Sequence, residues 1–170
     1  LKSEIVHHNN FIGGRYSVLS EVGMLPAELM GLNIKRFKQL NNLIKNKIFM
    51  KELVKNVESM LFFIKHKKFN SVILNYDNSS ADLFKWYQQL TAESLGKKGK
   101  GIIPIISSVP KDNHSLMQLY LDGPKKNFFT FFYVNENKNS KILKNKILLN
   151  QPYLRNKKLN DIIYAQKVAT

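Results

Sequence analysis

Apolar residues recur at three- and four-residue steps through the first third of the chain and then give way to short unbroken runs. Helices are therefore predicted first, and alternating strands and helices afterwards. Ser17 to Met30 carries helical spacing at Val18, Val22, Leu25 and Leu29, with Ser17 as the expected N-cap and Gly31 at the C-terminal stop. Pro26 inside that span predicts a kink or a late start. Asn33 is the expected cap of a second helix, with Ile34, Phe37, Leu40, Ile44 and Ile48 along one face. A third amphipathic stretch groups Leu53, Val54, Val57, Met60, Leu61 and Ile64, and closes in Lys65, His66, Lys67 and Lys68. Cations suit the negative end of a helix.

From Ser71 the period changes. Ser71 to Asn75 is a short β-branched run, followed by a helical pattern from Ser80 to Leu95. Gly101 to Val109 is the next predicted strand, Asn113 to Leu121 the next helix, and Asn127 to Val134 a third strand. The third strand holds four Phe and a Tyr and barely alternates, which predicts burial on both faces. Strand, helix, strand, helix, strand is the arithmetic of an α/β fold, a parallel sheet sandwiched between helices. Asn135 to Lys141 reads as a loop, Ile147 to Leu149 as an added edge, and Asp161 to Thr170 as a helix still running. With Leu1 in place of an initiator Met, both ends look cut. The whole chain is expected to form part of one α/β domain with a helical lead-in.

Composition narrows the function classes. The 170 residues carry a net charge of +15, 44% apolar residues and no cysteine. Disulfide frameworks, thiolate zinc sites and cysteine nucleophiles are excluded. No apolar run reaches the ~18 residues of a membrane span, and no leader-like segment opens the chain, so a soluble cytoplasmic protein is expected. The charge comes from 24 Lys and only 3 Arg, accompanied by 19 Asn. Nucleic-acid readers lean on Arg for bidentate contacts, so this excess reads as a solvated, compositionally biased surface rather than a binding stripe. It leaves a positive field that favours small anionic substrates.

Motif scanning is mostly negative. The loop Gly96-Lys97-Lys98-Gly99-Lys100-Gly101 lacks the spacing of a nucleotide-binding P-loop. His7, His8, His66 and His114 stand without partners at metal-ligand spacing, so no metal and no other cofactor is expected.

Three short segments carry complementary chemistry. In Gly13-Gly14-Arg15-Tyr16-Ser17, at a predicted helix start, the glycines allow close approach to a ligand while Arg15 and the helix terminus offer positive charge. In Trp86-Tyr87-Gln88-Gln89-Leu90-Thr91-Ala92-Glu93-Ser94, the core stripe is Leu83, Phe84, Tyr87 and Leu90. Gln89 and Glu93, four apart, share a neighbouring face with Trp86. A carboxylate flanked by an amide and an indole has the make-up of a general base. In Lys111-Asp112-Asn113-His114-Ser115, Asp112 or Asn113 is positioned to cap a helix whose first turn holds His114, and an imidazole can donate and accept protons near neutral pH. Each segment alone also fits a plain surface.

Together the three segments resemble the glucose-6-phosphate isomerase (phosphoglucose isomerase) family. Gly13-Gly14-Arg15-Tyr16-Ser17-Val18-Leu19-Ser20 is similar to its glycine-arginine signature, Trp86-Tyr87-Gln88-Gln89 with Ala92-Glu93-Ser94 to its catalytic-glutamate segment, and Asp112-Asn113-His114-Ser115-Leu116 with Gln118-Leu119-Tyr120 to its histidine segment. They occur in the family's order. The resemblance implies a three-layer αβα fold of the sugar-isomerase (SIS) type. It also implies interconversion of glucose 6-phosphate and fructose 6-phosphate through an enediolate, without a metal.

By that resemblance Glu93 is the base, Arg15 stabilises the enediolate, Gly14 lines the site and Gln89 positions the sugar. His114 assists ring opening and is contributed across the interface of a homodimer. No nucleic-acid or membrane partner is implied. The chain departs from the family at Asn113, where Gln is usual, and at Glu21, where a small residue is usual. The family's phosphate-binding Ser/Thr loop and its C-terminal lysine segment have no counterpart, so a fragment of about a third of the enzyme is expected. The alternatives are an isomerase of mannose 6-phosphate, a non-catalytic sugar-phosphate-binding module, and a nucleic-acid-binding protein driven by the lysine excess.

Overall fold

The change of period near residue 67 coincides with a change of architecture. The computed structural model describes residues 4–135, 151–154 and 157–170, and the chain divides into two units, Leu1–His66 and Lys67–Thr170.

In the first unit a 3-10 helix, Gly14–Leu19, precedes α1 (Glu21–Leu29). Ser17 is not the N-cap expected from sequence. It is buried inside the 3-10 helix with its hydroxyl donating to the Gly14 carbonyl at 2.7 Å, and the α-helix starts late, after Ser20. Its hydroxyl thus bonds a carbonyl within its own turn, the local alternative to capping that serine side chains offer. Two glycines shape this region. An ideal Cβ on Gly23 would lie 2.0 Å from the Val18 carbonyl oxygen, so the 3-10 helix and α1 meet only over a glycine. Gly31, at φ 79°, ends α1 as its spacing predicts: Leu32 N–H donates to Ala27 O and Gly31 N–H to Glu28 O at 2.9 and 2.8 Å, a Schellman closure.

The two helical stretches expected beyond Asn33 are three helices: the first is split into α2 (Ile34–Lys38) and α3 (Asn41–Lys45), and its Ile48 falls in the first turn of α4 (Lys47–Lys65), which carries the second stretch. Asn33 does cap α2, accepting from Lys35 N–H at 3.0 Å. The second break falls at Asn46, whose extended backbone ends α3 while its amide oxygen accepts from Ile48 and Phe49 N–H at 2.9 and 3.1 Å to start α4. Asparagine competes with the helical backbone for its own hydrogen bonds, which overrides the continuous apolar spacing.

In the second unit β1 (Asn70–Asn75) lies between β2 (Ile103–Ser108) and β3 (Asn127–Phe132), in the order β2-β1-β3 with both pairings parallel. Val72 pairs Ile105 on one side and Phe129 on the other. The crossovers are α5 (Ala81–Leu95) and α6 (Lys111–Asp122), and α7 (Leu159–Ala169) closes the described chain. One sheet face carries Val72, Leu74, Tyr76 and Val109, packed with Ile105, Tyr120 of α6, Tyr133 and Ile163 of α7. Phe84 of α5 meets Phe132 edge-on, ring centroids 4.8 Å apart, on the opposite face. The unit is thus α/β with three layers, α5 on one side and α6 with α7 on the other. Full burial of residues such as Val72 is worth roughly 1.5–3 kcal/mol each.

Two expectations are corrected. β3 is not buried on both faces: it pairs only with β1 among the described residues, and Phe129 and Phe131 are 40% and 48% exposed. Missing alternation in β3 reflects aromatic residues on a partly covered flank. Of the stripe expected on α5, Phe84 is buried and Tyr87 and Leu90 are half-buried, but Leu83 is exposed; Thr91 is buried as well, and Gln88 donates to Pro104 O at 2.9 Å. The expected edge at Ile147–Leu149, and all but the first residue of the loop expected at 135–141, lie outside the described residues.

Candidate active site

Gly14 and Arg15 belong to the first unit, and Gln89, Glu93 and His114 to the second. Gly14 opens the 3-10 helix, is exposed, and has nothing within 4 Å of where a Cβ would sit, so no packing inside its unit demands a glycine there. Arg15 is half-buried with its guanidinium 4.7 Å from the centroid of the Tyr16 ring. The helix terminus expected beside it is the start of a six-residue 3-10 helix, with α1 beginning only at Glu21. Positive charge at this segment therefore comes from the Arg15 side chain rather than from an α-helix dipole.

Gln89 and Glu93 meet as their spacing predicts. Gln89 Nε2 donates to Glu93 Oε1 at 3.0 Å on the exposed face of α5, in its last two turns. Trp86, half-buried, stands one turn before Gln89. Gln88, whose amide is turned to Pro104, is a structural neighbour of the pair.

His114 is exposed in the first turn of α6. Neither Asp112 nor Asn113 is the N-cap; Pro110 is, and it offers no side-chain oxygen. Asp112 instead reaches back: its Oδ2 accepts from Ser108 N–H at 2.7 Å and from the Ser107 hydroxyl at 3.2 Å. Asn113 donates to the Thr170 hydroxyl of α7's C-terminus at 3.1 Å. Sequence reading missed these roles, although a Ser-Ser pair ending a strand with an acid four residues on is a legible signal.

Glu93 and His114 are not brought together within the chain. α5 and α6 cover opposite faces of the sheet, and each runs antiparallel to the strands. Glu93, late in α5, therefore lies toward the edge where the strands begin, and His114, early in α6, toward the edge where they end. Six-residue strands separate these edges by roughly 20 Å. An apolar groove of about 610 Å³ on α7, lined by Tyr153, Leu154, Ile162 and Ala165 among others, contains none of the candidate residues. Among the described residues no three or more His, Asp or Glu gather as metal ligands, and no helix is long and apolar enough to cross a membrane.

The class is thus a three-layer α/β protein whose polar chemistry sits on the crossover helices and on a glycine-arginine turn. Comparison with known proteins narrows it. The sequence profile described as Phosphoglucose isomerase matches residues 2–150. Glucose-6-phosphate isomerase of Methanocaldococcus jannaschii is 37% identical over 126 residues, 71% of this chain and 31% of that protein. Glucose-6-phosphate isomerase of Mycoplasmopsis pulmonis is 34% identical over 167 residues, 94% of this chain and 39% of that protein. The crystal structure of a hypothetical protein from Thermus thermophilus superposes with a TM-score of 0.73 at 26% identity, covering 92% of this chain and 40% of that one. The chain belongs to the phosphoglucose isomerase family. It spans about a third of the length of the curated relatives it matches.

Proposed function

We propose that this chain is a segment of a cytoplasmic aldose–ketose isomerase that interconverts glucose 6-phosphate and fructose 6-phosphate, a step of glycolysis and gluconeogenesis. Glu93 takes the proton from C2 of the open-chain aldose. The electron pair left on C2 forms a C1=C2 double bond, and O1 becomes an oxyanion against the Arg15 guanidinium. Return of the proton to C1, with transfer of the O2 proton to O1, gives the ketose, and every proton and charge is accounted for. Gln89 positions the sugar and the carboxylate, and the open space at Gly14 admits the sugar to the backbone. His114 moves the proton that opens the ring.

The observation that carries this reading is the 3.0 Å bond from Gln89 to Glu93, which presents the carboxylate from an exposed helix face two turns beyond Trp86. Opposite placement of α5 and α6 supports a homodimer in which His114 serves the partner's site. One sugar is too small to reach Glu93 and His114 of the same chain. The test is turnover of glucose 6-phosphate by the full-length enzyme and its Glu93→Gln variant. Loss of the base is expected to lower kcat by about 10²–10⁴-fold with little change in KM. Near wild-type turnover of the variant would overturn the assignment. Faster turnover of mannose 6-phosphate than of glucose 6-phosphate would replace the substrate.

A further inference from the structure

We infer that Asp112 is a positioning residue for His114, a staple that fixes the first turn of α6 to the end of β2 and so aims the imidazole. The inference rests on the functional reading above. Only Val109 and Pro110 separate Ser108, the last residue of β2, from Lys111, the first of α6. The strand side of that joint is rigid. Ser107 has no exposed surface, Val109 is buried, and Val109 N–H donates to Asn75 O of the central strand at 3.0 Å. The helix side has no cap of its own, since Pro110 brings no side-chain acceptor.

One carboxylate oxygen closes the joint. Asp112 Oδ2 accepts the Ser108 N–H at 2.7 Å and the Ser107 hydroxyl at 3.2 Å, and a charged acceptor makes both bonds stronger than a neutral one would. A carboxylate in the first turn also suits the positive end of α6. Asn113 adds a second tether. Its Nδ2 donates to Thr170 Oγ1 at 3.1 Å, and that hydroxyl donates on to Gln166 O at 2.9 Å, tying the same turn to α7. The His114 side chain is exposed and has no hydrogen-bond partner among the described residues, so its aim is set by the helical backbone these two side chains hold. A group that must meet a sugar in another site gains most from such anchoring, because a displacement of about 1 Å costs on the order of 10² in rate.

The experiment is a double-mutant cycle on kcat for glucose 6-phosphate in the full-length enzyme: Asp112→Ala, His114→Ala and both together. Asp112→Ala is expected to lower kcat by about 10- to 100-fold in the wild-type background and by less than about twofold when His114 is already absent. Asp112→Asn, which keeps an acceptor oxygen, is expected to recover most of the loss. Ser107→Ala, which removes one donor and leaves the carboxylate, provides a milder variant should Asp112→Ala fold poorly. Its smaller loss must likewise vanish without His114. Losses that multiply independently in the double variants overturn the positioning role while leaving the isomerase reading intact. A wild-type enzyme with no turnover of glucose 6-phosphate overturns that reading and this inference together.

Discussion

The two units of the chain spend their apolar residues differently. In Lys67–Thr170 a central strand is buried from Ser71 to Asn75, while the strands on either side of it are only partly covered. In Leu1–His66 only Ser17 and Ala27 are buried among the described residues, and the 19-residue helix α4 buries none although Ile48, Val54, Leu61 and Phe62 are each more than half exposed. A parallel sheet with crossover helices generates its own interior. A row of amphipathic helices does not, and depends on capping, glycine contacts and whatever surface its apolar stripes meet. The candidate chemistry follows the same division: the acid, amide and imidazole ride on helices held by the sheet, whereas Gly14 and Arg15 ride on a turn held by local hydrogen bonds.

That contrast can be broken by substitution. Val72→Asp puts a charge at a position with no exposed surface and is expected to cost about 3–5 kcal/mol, enough to abolish the cooperative urea transition of the sheet unit. Gly23→Ala forces a Cβ onto the Val18 carbonyl and is expected to destabilise the first unit by about 1–3 kcal/mol, read as faster amide exchange in α1 with the sheet amides unchanged. Asn46→Ala removes the cap of α4 and is expected to cost about 1 kcal/mol, with loss of helical circular dichroism. The smallest effect is at Glu21. The hydrogen bond from its own backbone N–H, and then the His8 side chain at 3.2 Å, hold its carboxyl below the usual glutamate range. A carboxylate depressed in the folded state contributes stability that is present at neutral pH and lost as the pH falls through the lowered value. The NMR titration midpoint of Glu21 is therefore expected below that of an ordinary glutamate and to rise in His8→Ala.

The sheet was legible because its strands are short apolar runs between polar flanks, and the Gln89–Glu93 bond because helical spacing of four leaves little freedom. The break at Asn46 was not, since Ile44 and Ile48 keep perfect helical spacing across it and only the competition of an amide with the backbone ends α3 there. The position of β3 on the flank was hidden for a related reason. Four phenylalanines read the same whether a strand is covered or waiting to be covered. Asp112 looked like a cap because its residue type fits one; that it reaches back to Ser107 and Ser108 depends on Pro110 taking the cap position.

In the proposed dimer Glu93 and His114 of one chain serve different sugars. The direct measurement is complementation: Glu93→Gln and His114→Ala full-length proteins, each nearly inactive, are unfolded together and refolded. Random pairing makes half of the dimers hybrid, each with one intact site, so recovery of about a quarter of wild-type turnover is expected. A refolded mixture no more active than the two variants kept apart would contradict the shared site.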